Sequence, residues 1–377
     1  MARTFESTEV TQLQTSSSKQ FVVKSLHRDY PVCVSESIES LTSNLEVGGD
    51  TVFVVDKTVG MEYQEQLLAL IQDRPKMYID SDETVKTLEG IERLIEWLMS
   101  LRCNKSTHIV AIGGGIVQDV VAFTSSIYYR GIRYSLVPTT LLSMCDSSIG
   151  AKCGINFKNF KNQLGAVYAP YSVHIATEFL RTLNDREIQS GYGEILKLAI
   201  TGGPENLEKL ESHVNATSLR DAATELIYDC LLVKKTVIEI DEYESDYRRV
   251  LNYGHTFGHA LEAFTEHEIP HGLGVAWGID VINFIASQVF DFDKNTALRI
   301  RSFIKDHLFF QLSRIPTSED LLKAAQRDKK MVGSKLNIVV PVKLGKLQIV
   351  PVDLSSLLQD LLDNYLSSEN VFGTPQE

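Results

Sequence analysis

The residues best placed for chemistry lie between Asn252 and His271, in the run NYGHTFGHALEAFTEHEIPH. If this run is helical, His255 and His259 sit four residues apart on one face, and Glu262 follows on the same stripe one turn later. That spacing can hold a divalent metal. A straight helix would carry His271 out of reach, but Pro270 should end the helix and let the chain double back. Imidazoles from two elements could then meet at one ion. The same spacing also suits a surface pair or a satisfied core histidine, so the choice depends on the rest of the chain.

A second chemical signal is the strand HIVAI at 108–112, which runs straight into Gly113, Gly114 and Gly115 and then into an apolar helix carrying Asp119. Glycines at a strand-to-helix junction let the backbone approach a pyrophosphate, and the free amides and dipole of the helix start favour its charge. A plain tight turn uses glycine in the same way. Beyond a strand ending in Thr139 and Thr140, residues 141–170 form a polar, glycine-bearing passage that carries Asp146, Lys152, Asn156, Lys161 and Asn162. Its composition reads as a solvated loop. Glu194 and Lys197 share a helix face at three-residue spacing, as an ion pair would.

These residues are positioned by a chain of 377 residues, long enough for about two domains with a sizeable core. FVVKSL and HRDYPVCV read as two strands, and VFVVDKTV as a buried parallel strand with Asp56 at its carboxyl end. A helix to about Gln72, a strand at KMYID and an amphipathic helix from Glu83 to Leu101 continue a βαβ rhythm. In such sheets ligands gather beyond the carboxyl ends of the strands. From about Asn184 long amphipathic helices take over, the first capped by Asp185. The expected organisation is a tail at 1–19, an α/β domain at 20–184, a helical domain at 185–368 with a hairpin near 336–352, and a tail at 369–377.

Composition narrows the function classes. A net charge of -12 disfavours general affinity for nucleic acid or anionic membrane, so any anionic ligand must meet local positive charge. No run of about 18 apolar residues suggests a membrane span. The first residues resemble neither a secretory signal nor a transit peptide. Five scattered cysteines, Cys33, Cys103, Cys145, Cys153 and Cys230, argue for a reducing compartment and a cytoplasmic location. Cys145 and Cys153 read as small buried side chains more readily than as nucleophiles.

Taken in order, several motifs resemble the dehydroquinate synthase family of sugar phosphate cyclases. They are GGGIVQDVVAFTSSIYYRGIRYSLVPTTLLSMCDSSIGAKCGIN with KNQLGAVYAP, then GEILK, RRVLNYGHTFGHALE, His271-Gly272 and RDKK, and the match covers roughly residues 20 to 350. The resemblance implies an N-terminal Rossmann-like α/β domain that binds NAD and a C-terminal helical domain that binds a divalent metal, zinc first and cobalt second, with substrate between them. By position, it implies Glu194, His255 and His271 as metal ligands, and it makes His259 a substrate contact. NAD contacts would be Asp56, Glu83, Lys86, Gly114, Gly115, Ile116, Asp119, Thr139, Thr140, Lys161 and Thr182. Catalytic and substrate contacts would be Arg130, Asp146, Lys152, Asn162, Lys197, Lys234, Arg248, Asn252, His259 and the pair Lys329 and Lys330.

The implied reaction closes a seven-carbon acid sugar phosphate, 3-deoxy-arabino-heptulosonate 7-phosphate, to a carbocycle. Transient oxidation by NAD, β-elimination of phosphate, return of the hydride and an intramolecular aldol step would follow one another. A homodimer with Arg130 acting across its interface is implied as well. The chain departs from the family at Gln118, where glycine is usual, and at Ala151 and Cys153. Further departures are Phe157-Lys158-Asn159-Phe160 and Leu273, which stands where glutamate is common. These leave room for a sister cyclase acting on sedoheptulose 7-phosphate or glucose 6-phosphate. A metal- and NAD-dependent polyol or glycerol phosphate dehydrogenase and a non-catalytic sugar phosphate binder are the other readings.

Overall fold

The computed structural model describes residues 18–158, 160–266, 268–326, 331–332 and 335–368. They fall into two compact units. One comprises 18–139 and 148–181, the other 140–147 and the described residues from 182 onward. The segment 140–147 therefore leaves the α/β unit to which the sequence assigned it. The reason is electrostatic, because Asp146 pairs with Lys197 and Lys234 of the second unit.

The first unit contains β1 (Ser18–Val23), β2 (Tyr30–Ser35), α1 (Ser40–Asn44), β3 (Thr51–Asp56), α2 (Lys57–Glu62), α3 (Gln64–Ile71) and β4 (Lys76–Ile79). It continues with α4 (Leu88–Ser100), β5 (His108–Gly113), α5 (Gly115–Ile127), β6 (Arg133–Pro138), β7 (Lys152–Phe157), β8 (Phe160–Val167) and β9 (Ser172–Ala176). Seven strands form one sheet in the order β1-β2-β9-β6-β5-β3-β4, parallel except for the β1–β2 pair. Every residue of β3 and β5 is buried, as their continuous apolar β-branched runs require. After β3 the chain moves to one side of the sheet and after β5 to the other. The carboxyl ends of these neighbours thus flank a topological switch point.

Several local expectations shift. The first strand begins at Ser18, inside the expected tail. The helix after β3 is broken at Tyr63 into α2 and α3, and α4 starts only after the Thr87 cap, whose hydroxyl accepts from Gly90 N. Residues 152–167 are not a loop but the β7–β8 hairpin. A polar strand pair resembles a loop in composition, because one of its faces is left to solvent.

The second unit contains α6 (Asp185–Gly202), α7 (Pro204–Ala216), α8 (Ala223–Ile238), α9 (His255–Phe264), α10 (His271–Val289), α11 (Lys294–His307) and α12 (Ser318–Gln326). After them come β10 (Met331–Val332), β11 (Lys335–Lys343), β12 (Lys346–Asp353) and α13 (Ser356–Ser368). The antiparallel sheet β10-β11-β12 includes the expected hairpin, so the unit is mainly but not wholly helical. Asn184, not Asp185, caps α6, in a reciprocal capping box with Glu187.

Helix α10 is long and apolar enough to cross a membrane by composition, which corrects the expectation that no segment qualifies. It is a core helix, with Trp277, Val281 and Ile285 buried. Its one acidic residue, Asp280, accepts hydrogen bonds from Arg301 Nε at 2.9 Å and Tyr365 Oη at 2.7 Å. A buried charge is tolerated when it is paired and hydrogen-bonded in this way.

Candidate active site

Two backbone contacts build the centre of the second unit. A Cβ on Gly193 of α6 would overlap the carbonyl of Gly272 in α10, and a Cβ on Gly278 of α10 would overlap the carbonyl of Gly254, which caps α9. Glycine at these positions lets three helices meet backbone to backbone. Each contact lies beside a residue with donor chemistry: Glu194 follows Gly193, His271 precedes Gly272 and His255 follows Gly254.

Glu194 Oε1 consequently lies 3.6 Å from His255 Nε2 and 3.2 Å from His271 Nε2. Ring nitrogens of His255, His259 and His271 all lie within 4.8 Å of one another. The second nitrogens of two rings are engaged elsewhere. His255 Nδ1 donates to the Tyr253 carbonyl at 3.1 Å, and His271 Nδ1 donates to Glu262 Oε1 at 2.9 Å. These bonds occupy Nδ1 and leave Nε2 of each ring as the nitrogen facing Glu194, the arrangement of metal-bound histidine. Two such nitrogens with a carboxylate oxygen are a donor set that suits zinc or cobalt. Desolvation by burial alone would lower the His271 pKa, but hydrogen bonds to the Glu194 and Glu262 carboxylates outweigh it and raise it to about 10. A divalent cation answers the same pull, because it offers positive charge to those carboxylates.

Helix spacing had put Glu262 and His259 on the ligand stripe with His255. Glu262 instead braces His271 from behind, and His259 stays beside both rings. Leu273 is buried in α10, so the carboxylate that supports His271 comes from α9.

Charge continues outward from Glu194. Its Oε2 lies 2.5 Å from Lys197 Nζ, and Lys197 reaches Asp146 Oδ2 at 2.8 Å. Lys234 donates to the Asp146 carbonyl at 2.7 Å and pairs with Oδ1. Burial would raise the Asp146 pKa, but the two ammonium groups hold the carboxyl well below its usual range. Burial likewise opposes the charge on Lys197, yet Asp146 and Glu194 raise its pKa. In Lys234 desolvation prevails and the pKa falls. Arg248 is buried in the helical turn Tyr247–Asn252, and its Nη1 donates to Glu242 O at 2.5 Å.

In the first unit Asp56, Gly114 to Ile116 and Thr139 lie at the carboxyl ends of β3, β5 and β6. Asp56 caps α2, accepting from Val59 N at 3.0 Å. Gly114 caps α5 in extended conformation without a side-chain hydrogen bond, while Gly115 and Ile116 form its half-buried first turn. The amide of Thr139 donates to Gly113 O at 3.2 Å. Gln118 turns its amide back onto the same Gly113 carbonyl at 3.2 Å, so its bulk is buried.

Beside this loop Lys86 pairs with Asp119 at 2.6 Å, and Asp119 accepts from Gly154 N at 3.1 Å. Desolvation raises the Asp119 pKa against the pull of Lys86. Glu83 Oε2 accepts from Asn156 Nδ2 at 2.6 Å, and Asn156 Oδ1 accepts from Asn162 N at 3.0 Å. The β7–β8 hairpin thereby joins four of the sequence candidates, Glu83, Lys86, Asp119 and Asn162, with Asn156. Lys152 and Lys161 are exposed on it, and Phe157 and Phe160 flank its tip. Ala151 takes a φ of +60°, and Cys153 is a buried thiol that burial pushes up to about 12.

Elsewhere, Thr140 bonds to Ser143 Oγ at 2.9 Å in the second unit. Thr182 and Arg130 are exposed. Lys329 and Lys330 lie outside the described residues. Sequence reasoning did not assign the His271–Glu262 bond or the helix contacts. The repeated glycines at 191, 193, 254, 258, 272, 274 and 278 were the available signal.

Residues 76–190 match the family model described as 3-dehydroquinate synthase N-terminal, and residues 191–331 the model described as 3-dehydroquinate synthase C-terminal. The chain is 36% identical over 338 residues to the 3-dehydroquinate synthase of Staphylococcus epidermidis, covering 88% of this chain and 94% of the relative. It is 33% identical over 308 residues to that of Campylobacter hominis, covering 81% and 89%. Among solved structures it resembles the 2-epi-5-epi-valiolone synthase of Streptomyces hygroscopicus with NAD+ and Zn2+ bound. That likeness has a TM-score of 0.81 at 25% identity and covers 92% of this chain and 99% of the other.

Proposed function

This chain belongs to the 3-dehydroquinate synthase family and is a dehydroquinate synthase-like cyclase, a lyase, and we propose that its substrate is 3-deoxy-arabino-heptulosonate 7-phosphate. The product would be a carbocycle and free phosphate. The observation that carries this reading is the burial of Lys197, Lys234 and Arg248 in one unit with the Glu194, His255 and His271 cluster. Asp146 and Glu194 set two carboxylates against these three cations, and a carboxylated sugar phosphate would supply further anionic groups.

We assign Glu194, His255 and His271 to a zinc ion, with cobalt as a substitute, and the glycine loop of 114–116 with Asp56, Glu83, Lys86, Asp119, Thr139, Thr140, Lys161 and Thr182 to NAD. The structural neighbour with NAD+ and Zn2+ bound supports NAD and a divalent metal as the groups held. When bound, the metal would polarise a substrate hydroxyl and the nicotinamide would take up a hydride from the substrate and later return it. The chain's own part is to orient and to manage charge. Asp146 holds the Lys197 and Lys234 ammonium groups in place, and these with Arg248, Asn252 and His259 would position the anionic groups. The imidazole of His259 can accept and return a proton. Arg130, Lys152, Asn162, Lys329 and Lys330 complete the proposed substrate contacts.

A cytoplasmic homodimer is part of the proposal. Arg130 supports it, because it lies exposed beside exposed Tyr129 on a turn where Tyr129, Arg130 and Gly131 all take positive φ.

The test is to incubate the protein with a divalent metal and catalytic NAD, offer each candidate sugar phosphate in turn, and follow phosphate release and the ring product. Phosphate and a carbocycle from the heptulosonate phosphate are expected. Turnover of only sedoheptulose 7-phosphate or glucose 6-phosphate would make it a sister cyclase. Net NADH without phosphate would make it a dehydrogenase.

A further inference from the structure

The segment between α8 and the turn at Tyr247–Asn252 is organised by one carboxylate. Asp241 Oδ1 accepts from the amide and the hydroxyl of Ser245, both at 2.9 Å. Its Oδ2 accepts from the amides of Asp246 at 2.8 Å and Arg248 at 3.0 Å. Four donors close the loop on a single side chain. Within it Glu244 takes a φ of +57°, a conformation a non-glycine residue keeps only when its surroundings impose it.

The closed loop delivers two contacts. Glu244 Oε1 accepts from Asn252 Nδ2 at 2.6 Å, and the Glu242 carbonyl accepts from Arg248 Nη1 at 2.5 Å. Both acceptors lie on the stretch that Asp241 ties down, and both donors are side chains assigned above to substrate. Their placement is thus coupled to Asp241.

We propose that Asp241 is a positioning residue: by gathering the donors of Ser245, Asp246 and Arg248 it sets Arg248 and Asn252 in the geometry that binds the anionic substrate. An aspartate is the side chain that suits the task. An asparagine at 241 would keep one acceptor oxygen and turn an N–H pair toward amides that are themselves donors. Backbone hydrogen bonds from Asp246, Ser245 and Arg248 overcome desolvation and lower its pKa to about 2, so the loop keeps its charged anchor across the neutral range. The inference rests on the reading of Arg248 and Asn252 as substrate contacts.

The test is a double-mutant cycle on the holoenzyme, joined to an exchange measurement that needs no substrate. Asp241→Ala should lower kcat/KM by about 30-fold, mainly through KM, as expected when a binding group is misplaced rather than removed. Asp241→Asn should fall between it and wild type. In an Arg248→Ala background the added Asp241→Ala change should cost clearly less than in wild type, about 5-fold, because only the share acting through Asn252 remains and residues acting through one another are not additive. An additive cycle, or an unchanged KM in Asp241→Ala, would overturn the proposal. Amide exchange at 245–248 should quicken in Asp241→Ala and not in Arg248→Ala. Equal protection in wild type and Asp241→Ala would overturn the loop geometry itself. A wild-type protein inert toward the heptulosonate phosphate, with the exchange result intact, would instead remove the substrate assignment.

Discussion

Glu262 Oε1 accepts the Nδ1 proton of His271 across 2.9 Å, and so turns Nε2 of that ring toward Glu194. Such a partner fixes tautomer and orientation, and its loss typically costs 10- to 100-fold in metal affinity, on the order of that range here. Glu262→Gln should weaken Co2+ binding by about 10-fold and Glu262→Ala by more. A Co2+ titration followed by its visible absorption reads this directly. Unchanged affinity in both variants would show that the bond does not support the centre.

Metal should also stabilise the second unit. A ligand at about 1,000 times its Kd contributes about 4 kcal/mol to a fold that alone can bind it. Adding Zn2+ to chelator-treated protein should therefore raise its unfolding temperature. His271→Ala should abolish most of that rise, and phosphate release should stop on chelation and return with Zn2+ or Co2+. A rise of equal size in His271→Ala would place the ion elsewhere.

The first unit should lose stability in mild acid. His108 Nε2, Ser135 Oγ, Ser172 Oγ and His174 Nε2 form a buried chain with 2.8 Å at each link. Burial lowers both histidines to about 4. Their folded pKa values lie below the unfolded value, so the stability they confer is complete above about pH 6.5 and is lost as pH falls toward 4. Each proton forced on the fold would cost up to about 3 kcal/mol. Urea midpoints between pH 7 and 5 should fall in wild type and fall less in His108→Gln with His174→Gln. Parallel curves would refute it.

Asp146 is the counter-charge for two buried ammonium groups. Asp146→Ala leaves Lys234 without its carboxylate and Lys197 with Glu194 alone, and should destabilise the protein by about 3–5 kcal/mol, as broken buried pairs do. Adding Lys234→Met should recover part of that loss, because one unpaired charge goes with it. Chemical denaturation of the three proteins measures the difference. No recovery in the double variant would mean that Lys234 does not depend on Asp146 for its burial.

How much of this was legible beforehand depends on distance along the chain. The runs VFVVD and HIVAI identify buried parallel strands by themselves, since side-chain alternation and burial are local properties, and they become β3 and β5. The β11–β12 hairpin was legible for the same reason. The passage at 152–167 was not, because polar strands carry no apolar period to betray their pairing.

The metal centre shows the limit most clearly. By itself the sequence determined the histidines, their spacing and the reversal at Pro270, and its ordered motifs pointed to a family. Only the tertiary structure decided that Glu194 Oε1 would stand 3.2 Å from His271 Nε2, and that Glu262 would face the opposite nitrogen. Glu194 and His271 are far apart in the chain, and no helical period links them. They meet because Gly193 and Gly272 lack side chains, which lets two helices touch at their backbones.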